Sequence, residues 1–243
     1  MPQPVLEVHG LVKRFGKGKT AVTALDGLDL AVPPGELFGL IGPNGSGKTT
    51  LIRILTGLDR PTEGVARLRG GDPLAMRQHV GYMPQEEALY VDLSVEENVE
   101  FFAGLYERPD PERVRAALES VHLFEDRARV VGDLSGGMRR RASLASTLAH
   151  RPDVLFLDEP TVGVDPVLRL ELWEAFRAMA RAGASIIITT HHMEEARRCD
   201  RIGFIHKGRM LTTGRTEDLL REAGADNLED AFLHFRRRAN VAA

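Results

Sequence analysis

The chain has 243 residues, 43% of them apolar and 28% charged, with 24 glycines and 13 prolines. That length suits one large domain or a core with a subdomain, and it is enough to bury a substantial core. The 32 basic residues against 35 acidic ones exclude a strongly basic nucleic-acid binder. The single cysteine, Cys199, cannot form an intrachain disulfide and fits a reducing compartment. No stretch approaches the ~18 apolar residues needed to cross a bilayer. Residues 1–10 carry neither a basic run nor an apolar one, so no secretory leader is expected.

In chain order, Val5 to Val8 and the alternating segment Ala24 to Val32 predict short strands, the second closed by Pro33-Pro34-Gly35. Leu37 to Ile41 reads as a buried strand that enters a glycine-rich loop, followed by an apolar-periodic helix over 49–58. From Glu86 to about Ala149 the pattern is helical. Ser94-Val95-Glu96-Glu97 is a capping box, opening a helix with Val95, Val99, Phe102 and Leu105 at helical spacing. A second helix is expected from Pro109 to Leu123. A third starts near Ser135 and sets Met138, Ala142, Ala145 and Leu148 on one face. Strand signals return at Val154 to Leu157 and Ser185 to Ile188, separated by a helix from Pro166 to Arg181. Lys207-Gly208 between two apolar runs predicts a hairpin, and Thr216 to Arg238 an amphipathic helix. The expected fold is an α/β core interrupted by a helical insertion, with antiparallel strands at the start.

Three segments carry chemistry. Gly42-Pro43-Asn44-Gly45-Ser46-Gly47-Lys48-Thr49 matches the P-loop pattern. Phosphate oxygens need many N–H donors at close range, and Gly42, Gly45 and Gly47 permit both the turn and the approach. Lys48 would reach the β- and γ-phosphates, and the Thr49 hydroxyl would ligate Mg²⁺. The second segment, Val154 to Glu159, is a strand ending in two carboxylates, placed where open α/β sheets bind ligands. Asp158 suits Mg²⁺, and Glu159 can polarise an attacking water. The third is Leu134-Ser135-Gly136-Gly137-Met138. A serine cap explains Ser135 alone, but two glycines opening a helix point to a second anion site. One nucleotide does not need two such sites.

Together these residues resemble the ATP-binding cassette (ABC) ATPases, in the expected order and over nearly the whole chain. Gly42 to Thr49 is similar to their Walker A, with Thr50 beside it expected to join nucleotide binding, Gln85 to the Q-loop glutamine, Leu134 to Met138 to the signature and Asp158-Glu159 to the Walker B pair. Val162 to Asp165 resembles the D-loop, His191 the switch histidine, and Phe15 the aromatic that stacks on adenine. The resemblance implies a P-loop NTPase core with an antiparallel β subdomain and an inserted α-helical subdomain. Its divisions are a RecA-like core at about 1–85 and 150–215, a helical subdomain at about 86–149 and a C-terminal helical tail at about 216–243. It implies ATP and Mg²⁺, the ion held by Thr49, Gln85 and Asp158. It also implies a homodimer in which Ser135, Gly136 and Gly137 clamp the γ-phosphate on the partner's P-loop. His191 would sense that phosphate. The chain would work with a separate transmembrane permease at the inner face of the cell membrane, with no nucleic acid as partner.

Two segments depart from the family pattern: Met138 stands where glutamine is usual, and Val162-Gly163-Val164 replaces the more usual small-x-Leu before Asp165. The run Thr189 to Ala196 and the Ser-Gly-Gly-Met signature followed by basic residues resemble the drug- and polymer-exporting branch. A soluble ATPase that assists iron–sulfur-type assembly, or an importer subunit, are the alternatives. Among weaker features, Arg139 to Arg141 is expected to be mostly solvated surface, because consecutive helical residues point in different directions. Arg236 to Arg238 are too few for a lipid-binding cluster and are expected in a disordered tail. His191, His192, Cys199 and His206 match no zinc spacing.

Overall fold

The computed structural model describes residues 3–241, so positions 1, 2, 242 and 243 of the cassette expected over 1–243 lie outside the described residues. The chain forms two compact units, one made of the residues up to Arg77 with those from Ser185 onward, the other of Gln78–Ala184.

In the first unit β1 (Leu6–Phe15), β2 (Val22–Val32) and β4 (Glu63–Leu68) form an antiparallel sheet in the order β2-β1-β4. Leu6, Val8, Leu28, Leu30 and Val32 are buried at every second position of their strands, the period that puts one face of a strand on a core. A register shift between Val8 and Leu11, with Gly10 at φ 54°, bends β1 and turns both Leu11 and Val12 inward. The same unit holds β3 (Leu37–Ile41), β7 (Ser185–Thr190), β8 (Arg201–His206) and β9 (Arg209–Gly214). Strand β3 runs parallel to β7 on one side and to β8 on the other, and β9 returns antiparallel to β8. Every residue of β3 and β7 is buried, as strands covered on both faces require. The hairpin turn is Lys207-Gly208, with φ of 48° and 75°, the doubly positive geometry that joins two twisted strands tightly.

Helix α1 (Lys48–Leu55) follows β3 directly, and the short helix α6 (Met193–Ala196) lies between β7 and β8. The C-terminal amphipathic stretch is two helices, not one: α7 (Thr216–Ala223) ends at Gly224 in the left-handed region, and α8 (Leu228–Val241) follows. Leu228, Ala231, Phe232 and Phe235 of α8 are buried, and the Phe232 ring meets Phe204 edge-on at 5.4 Å. Arg236 to Arg238 lie inside α8 rather than in a disordered tail, and Arg238 pairs with Glu222 at 2.8 Å. Burial of the phenylalanines a turn earlier carries the helix through them.

In the second unit β5 (Val80–Met83) runs parallel to β6 (Val154–Asp158). Its helices are α2 (Val95–Gly104), α3 (Pro111–Ser120), α4 (Gly136–Leu148) and α5 (Pro166–Arg181). The capping box opens α2: Ser94 N donates to Glu97 Oε2 at 2.7 Å, and Glu97 N donates to Ser94 Oγ at 3.2 Å. Val95 and Val99 are buried, but Leu105 lies past the helix end and is 64% exposed. On α4, Ala142 and Ala145 are buried as expected, yet all of residues 142–147 are buried, so this helix is enclosed nearly all round. Small side chains let its neighbours approach from every side. Among the described residues no helix is long and apolar enough to cross a membrane.

Candidate nucleotide-binding site

Strand β3 delivers the chain to Gly42, and α1 begins at Lys48 with Gly47 as its cap at φ 108°. The glycines here are demanded by their own surroundings. A Cβ on Gly42 would stand 2.2 Å from the Ile205 carbonyl oxygen, and one on Gly47 would stand 2.7 Å from that of Ala24. The loop is latched to the β8–β9 turn: Gly208 N donates to Ser46 O at 2.9 Å, and Asp26 N to Gly208 O at 2.9 Å. Pro43, Asn44 and Gly45 are exposed, Thr49 is exposed and Thr50 half-buried, while the Lys48 side chain is buried. Lys48 Nζ donates to the carbonyls of Gly42 at 2.7 Å and Pro43 at 3.2 Å, so the ammonium is folded over the loop it would serve. Ser46 Oγ is buried with no hydrogen-bond partner. An orphaned hydroxyl in a cradle that cannot admit a Cβ fits an anion with many acceptor oxygens.

Strand register places His191 beside this loop. Ile41 pairs with Thr190 in the parallel ladder, so Gly42 and His191 leave neighbouring strands at the same level. His191 is exposed, its ring 4.1 Å from that of His192, and His192 N donates to Thr190 Oγ1 at 2.9 Å. Phe15 ends β1 opposite Val22, two residues before the Ala24 that packs on Gly47. Its ring is 45% exposed, with Lys13 Nζ 4.9 Å from the centroid. A ring so placed can stack on a base.

The second unit repeats the arrangement. Met83 pairs with Leu157, so Pro84-Gln85 and Asp158-Glu159 leave β5 and β6 at the same level. Gln85 is exposed, whereas Asp158 and Glu159 are 1% and 5% exposed. Glu159 has φ 53°, a left-handed conformation costing a non-glycine residue about 1–3 kcal/mol. Asp165 caps α5, its Oδ1 accepting from Leu168 N at 3.0 Å. Gly163 in the same loop has φ 76°, which accounts for glycine at this departure from the family pattern.

Ser135 caps α4 through Oγ, which accepts from Met138 N at 3.3 Å. That bond uses the backbone of position 138, so methionine there leaves it intact; its sulfur accepts from Arg129 Nη1 at 3.7 Å. Ser135 and Gly136 are exposed, and a Cβ on Gly136 would meet nothing within 4 Å. One on Gly137 would meet only the Gly163 carbonyl, at 3.0 Å. The helix N-terminus is therefore open, with the first N–H groups of the helix and the positive end of its dipole at the surface.

The arginine run corrects the sequence-based expectation of solvated surface. Arg140 is buried; Arg139 and Arg141 are half-buried. Arg139 Nε donates to Glu87 at 2.8 Å and its Nη1 to Leu134 O at 2.7 Å. Arg141 Nη1 reaches the carbonyls of Val121 and His122. Arg140 Nη1 donates to Pro84 O at 2.8 Å and Gln85 O at 2.9 Å, and its Nη2 to Asp158 O and, at 2.8 Å, to Glu159 O. Burial holds its pKa below the usual arginine range, against the opposing charges of Asp158 and Glu159. The one signal for this in the sequence is helical spacing: Arg140, Leu144 and Thr147 share a stripe on a helix with little polar face.

A buried strand, a glycine-rich phosphate loop and a dipole-bearing helix define a P-loop nucleotide-binding fold. Residues 25–162 match the family model described as ABC transporter. The chain is 40% identical over 243 residues to the probable multidrug ABC transporter ATP-binding protein YbhF of Escherichia coli, covering 95% of this chain and 41% of that protein. It thus spans about two fifths of that relative's length. It is 41% identical over 235 residues to the Nod factor export ATP-binding protein I of Ralstonia nicotianae, covering 93% of this chain and 72% of that protein. A solved ATP-binding subunit of an ABC transporter superposes with a TM-score of 0.85 at 28% identity, covering 96% of this chain and 99% of the other. The chain belongs to the ABC transporter family, and its fold is the ATP-binding cassette.

Proposed function

We propose that this chain is the ATP-hydrolysing motor of an exporter, a homodimer working at the inner face of a cell membrane beneath a separate permease. The observation that carries the reading is Gly136, an exposed glycine in ordinary backbone conformation with nothing among the described residues near a Cβ position. Glycine costs a helix interior about 1 kcal/mol relative to alanine. Gly136 stands at the first helical position, where that cost is smaller, and among the described residues nothing occupies the space a side chain would take. An anion arriving from outside can use that space, because a bare backbone lets it approach the helix N–H groups. The γ-phosphate of ATP on a partner's P-loop is such an anion, and a two-fold axis makes two identical sites from one pair of surfaces.

In this reading Gly42 to Thr50 wrap the triphosphate, with Pro43, Asn44, Gly45, Ser46 and Gly47 presenting backbone and Lys48 spanning the β- and γ-oxygens. Phe15 stacks on adenine. Ser135, Gly136 and Gly137 close the partner's site, and Asp165 lies at the same interface. Glu159 accepts a proton from water as its oxygen attacks the γ-phosphorus, and the β–γ bridging oxygen leaves with ADP; base assistance of this kind is worth ~10²–10⁴ in rate. His191 and Gln85 report the γ-phosphate to the rest of the chain. Thr49, Gln85 and Asp158 offer the oxygen donors that Mg²⁺ takes, and the ion would neutralise charge on the β- and γ-phosphates. Helical residues at about 86–149 meet the permease. The names of the relatives, multidrug and Nod factor export, support export of drug- or polymer-like cargo.

Glu159→Gln tests the reading. The variant should bind ATP, hydrolyse it at least ~10²-fold more slowly, and elute as an ATP-dependent dimer in size exclusion. Undiminished hydrolysis would remove Glu159 from the role.

A further inference from the structure

Arg140 makes a set of bonds that neither helix capping nor a surface role explains. It sits five residues beyond Ser135 on α4, and its side chain is 6% exposed. Each terminal nitrogen serves one strand end: Nη1 takes two carbonyls after β5, and Nη2 takes two at the end of β6. A planar guanidinium presents its donors in a fixed fork, so one rigid group bridges the two chain segments just past the end of the β5–β6 ladder. All four acceptors are main-chain oxygens. The bonds therefore orient Gln85, Asp158 and Glu159 through their backbone.

The backbone they hold needs holding. Glu159 stands in the left-handed region without being glycine, a conformation that persists only where neighbours fix it. Its carbonyl accepts from Arg140 Nη2 and, at 3.3 Å, from Val162 N. Arg140 Nε is buried with no partner, so the side chain is placed for its two terminal nitrogens alone.

We propose that Arg140 is a positioning residue for hydrolysis, fixing the Glu159 carboxylate and the Gln85 loop relative to each other and to the helix that begins at Ser135. The inference rests on the ATPase reading above. A displacement of α4 when Ser135 meets a phosphate then reaches both strand ends through one side chain, so base and sensor move as a unit.

The experiment measures ATP turnover per nucleotide-binding site in the full chain, with sites counted by ATP titration of the same preparation. Arg140→Met should lower kcat by about 10²-fold, the scale of a misplacement near 1 Å, with ATP affinity and KM unchanged within about twofold. Arg140→Lys, which keeps charge but offers a single nitrogen to four carbonyls, should fall between Met and the natural residue. A purely structural role would lower the number of binding sites and leave turnover at each one intact. The proposal is overturned if Arg140→Lys and Arg140→Met turn over per site like the natural chain, if KM rises in step with the loss of kcat, or if neither variant binds ATP. The natural chain and Glu159→Gln run alongside: if they do not differ in hydrolysis, the ATPase reading fails on its own account, whatever Arg140 does.

Discussion

The chain opens two helices on glycines, and the two openings differ in what the glycines are for. At Gly42 and Gly47 the molecule itself forbids a side chain: the Ile205 and Ala24 carbonyls occupy the space, and Gly47 is left-handed. At Gly136 there is empty space and an ordinary backbone. The first cradle is closed by its own neighbours, with a buried lysine and an orphaned serine hydroxyl in it. The second is half a cradle. Under the proposed function, the group that Gly136 faces belongs to a partner.

Adding a methyl group at each place separates the two cases, and the larger effect belongs to the closed one. Gly42→Ala drives a Cβ into the Ile205 carbonyl at 2.2 Å, so β8 and the loop must part. Overpacking on this scale costs about 3 kcal/mol, or roughly 6–12 °C in melting temperature for a chain of this size. Calorimetry should show that loss, and ATP binding should go with it. A melting temperature unchanged from the natural chain would mean the loop is not as tightly cradled as its neighbours indicate.

Gly136→Ala should do the reverse to stability. With nothing to clash and a better helix former in place, the fold gains up to about 1 kcal/mol. ATP still binds the P-loop, but hydrolysis falls at least about tenfold because the methyl group stands where the partner's phosphate approaches. Mixing this variant with Lys48→Ala sharpens the test. Random pairing makes half the dimers mixed, each with one intact composite site of two, so activity should recover to about a quarter of the natural level. Confirmed mixed dimers with no activity above either parent would count against sites shared between subunits.

This contrast marks what was legible in the sequence. Glycine spacing after a buried strand identifies the P-loop because the motif's demands are local: strand, turn and helix all lie within Leu37 to Leu55. The capping box at Ser94 and the Lys207-Gly208 hairpin were legible for the same reason. Arg140 was not. Three consecutive arginines point about 100° apart on a helix, and which one turns inward depends on elements that follow α4 or precede it by dozens of residues. The inclusion of Arg236 to Arg238 in α8 likewise depended on the packing of Phe232 against Phe204. Asp165 shows the intermediate case: its place before a helix was readable, while its use as the cap of α5 is a matter of side-chain geometry.

The smallest expected effect concerns the other end of α4, where His150 follows the last turn. Its Nε2 lies 3.1 Å from the Val80 carbonyl, its ring stacks on Tyr106 at 3.8 Å, and its Nδ1 is buried without a partner. A neutral ring carrying its proton on Nε2 satisfies that carbonyl; a second proton would put an N–H into a site with no acceptor. Burial accordingly holds the His150 pKa below its ordinary value of 6.5, against the Val80 hydrogen bond and the Glu107 charge. The folded pKa is depressed, so between it and 6.5 the unfolded chain binds more protons. The stabilisation from neutral His150 is thus present above the unfolded pKa and is lost as pH falls through that window, with a slope no steeper than about 1.4 kcal/mol per pH unit for one proton. His150→Phe keeps the stack and cannot titrate. Melting temperatures between pH 7.5 and 5 should therefore fall less steeply for the variant than for the natural chain, although the variant starts lower at pH 7.5 for want of the Val80 bond. Parallel curves would show that His150 stays neutral or is protonated at no cost, and that α4 is pinned at this end by its apolar neighbours alone. A difference confined to the acid limb would instead show that the helix whose start is open to a partner is closed at its other end by a single uncharged ring.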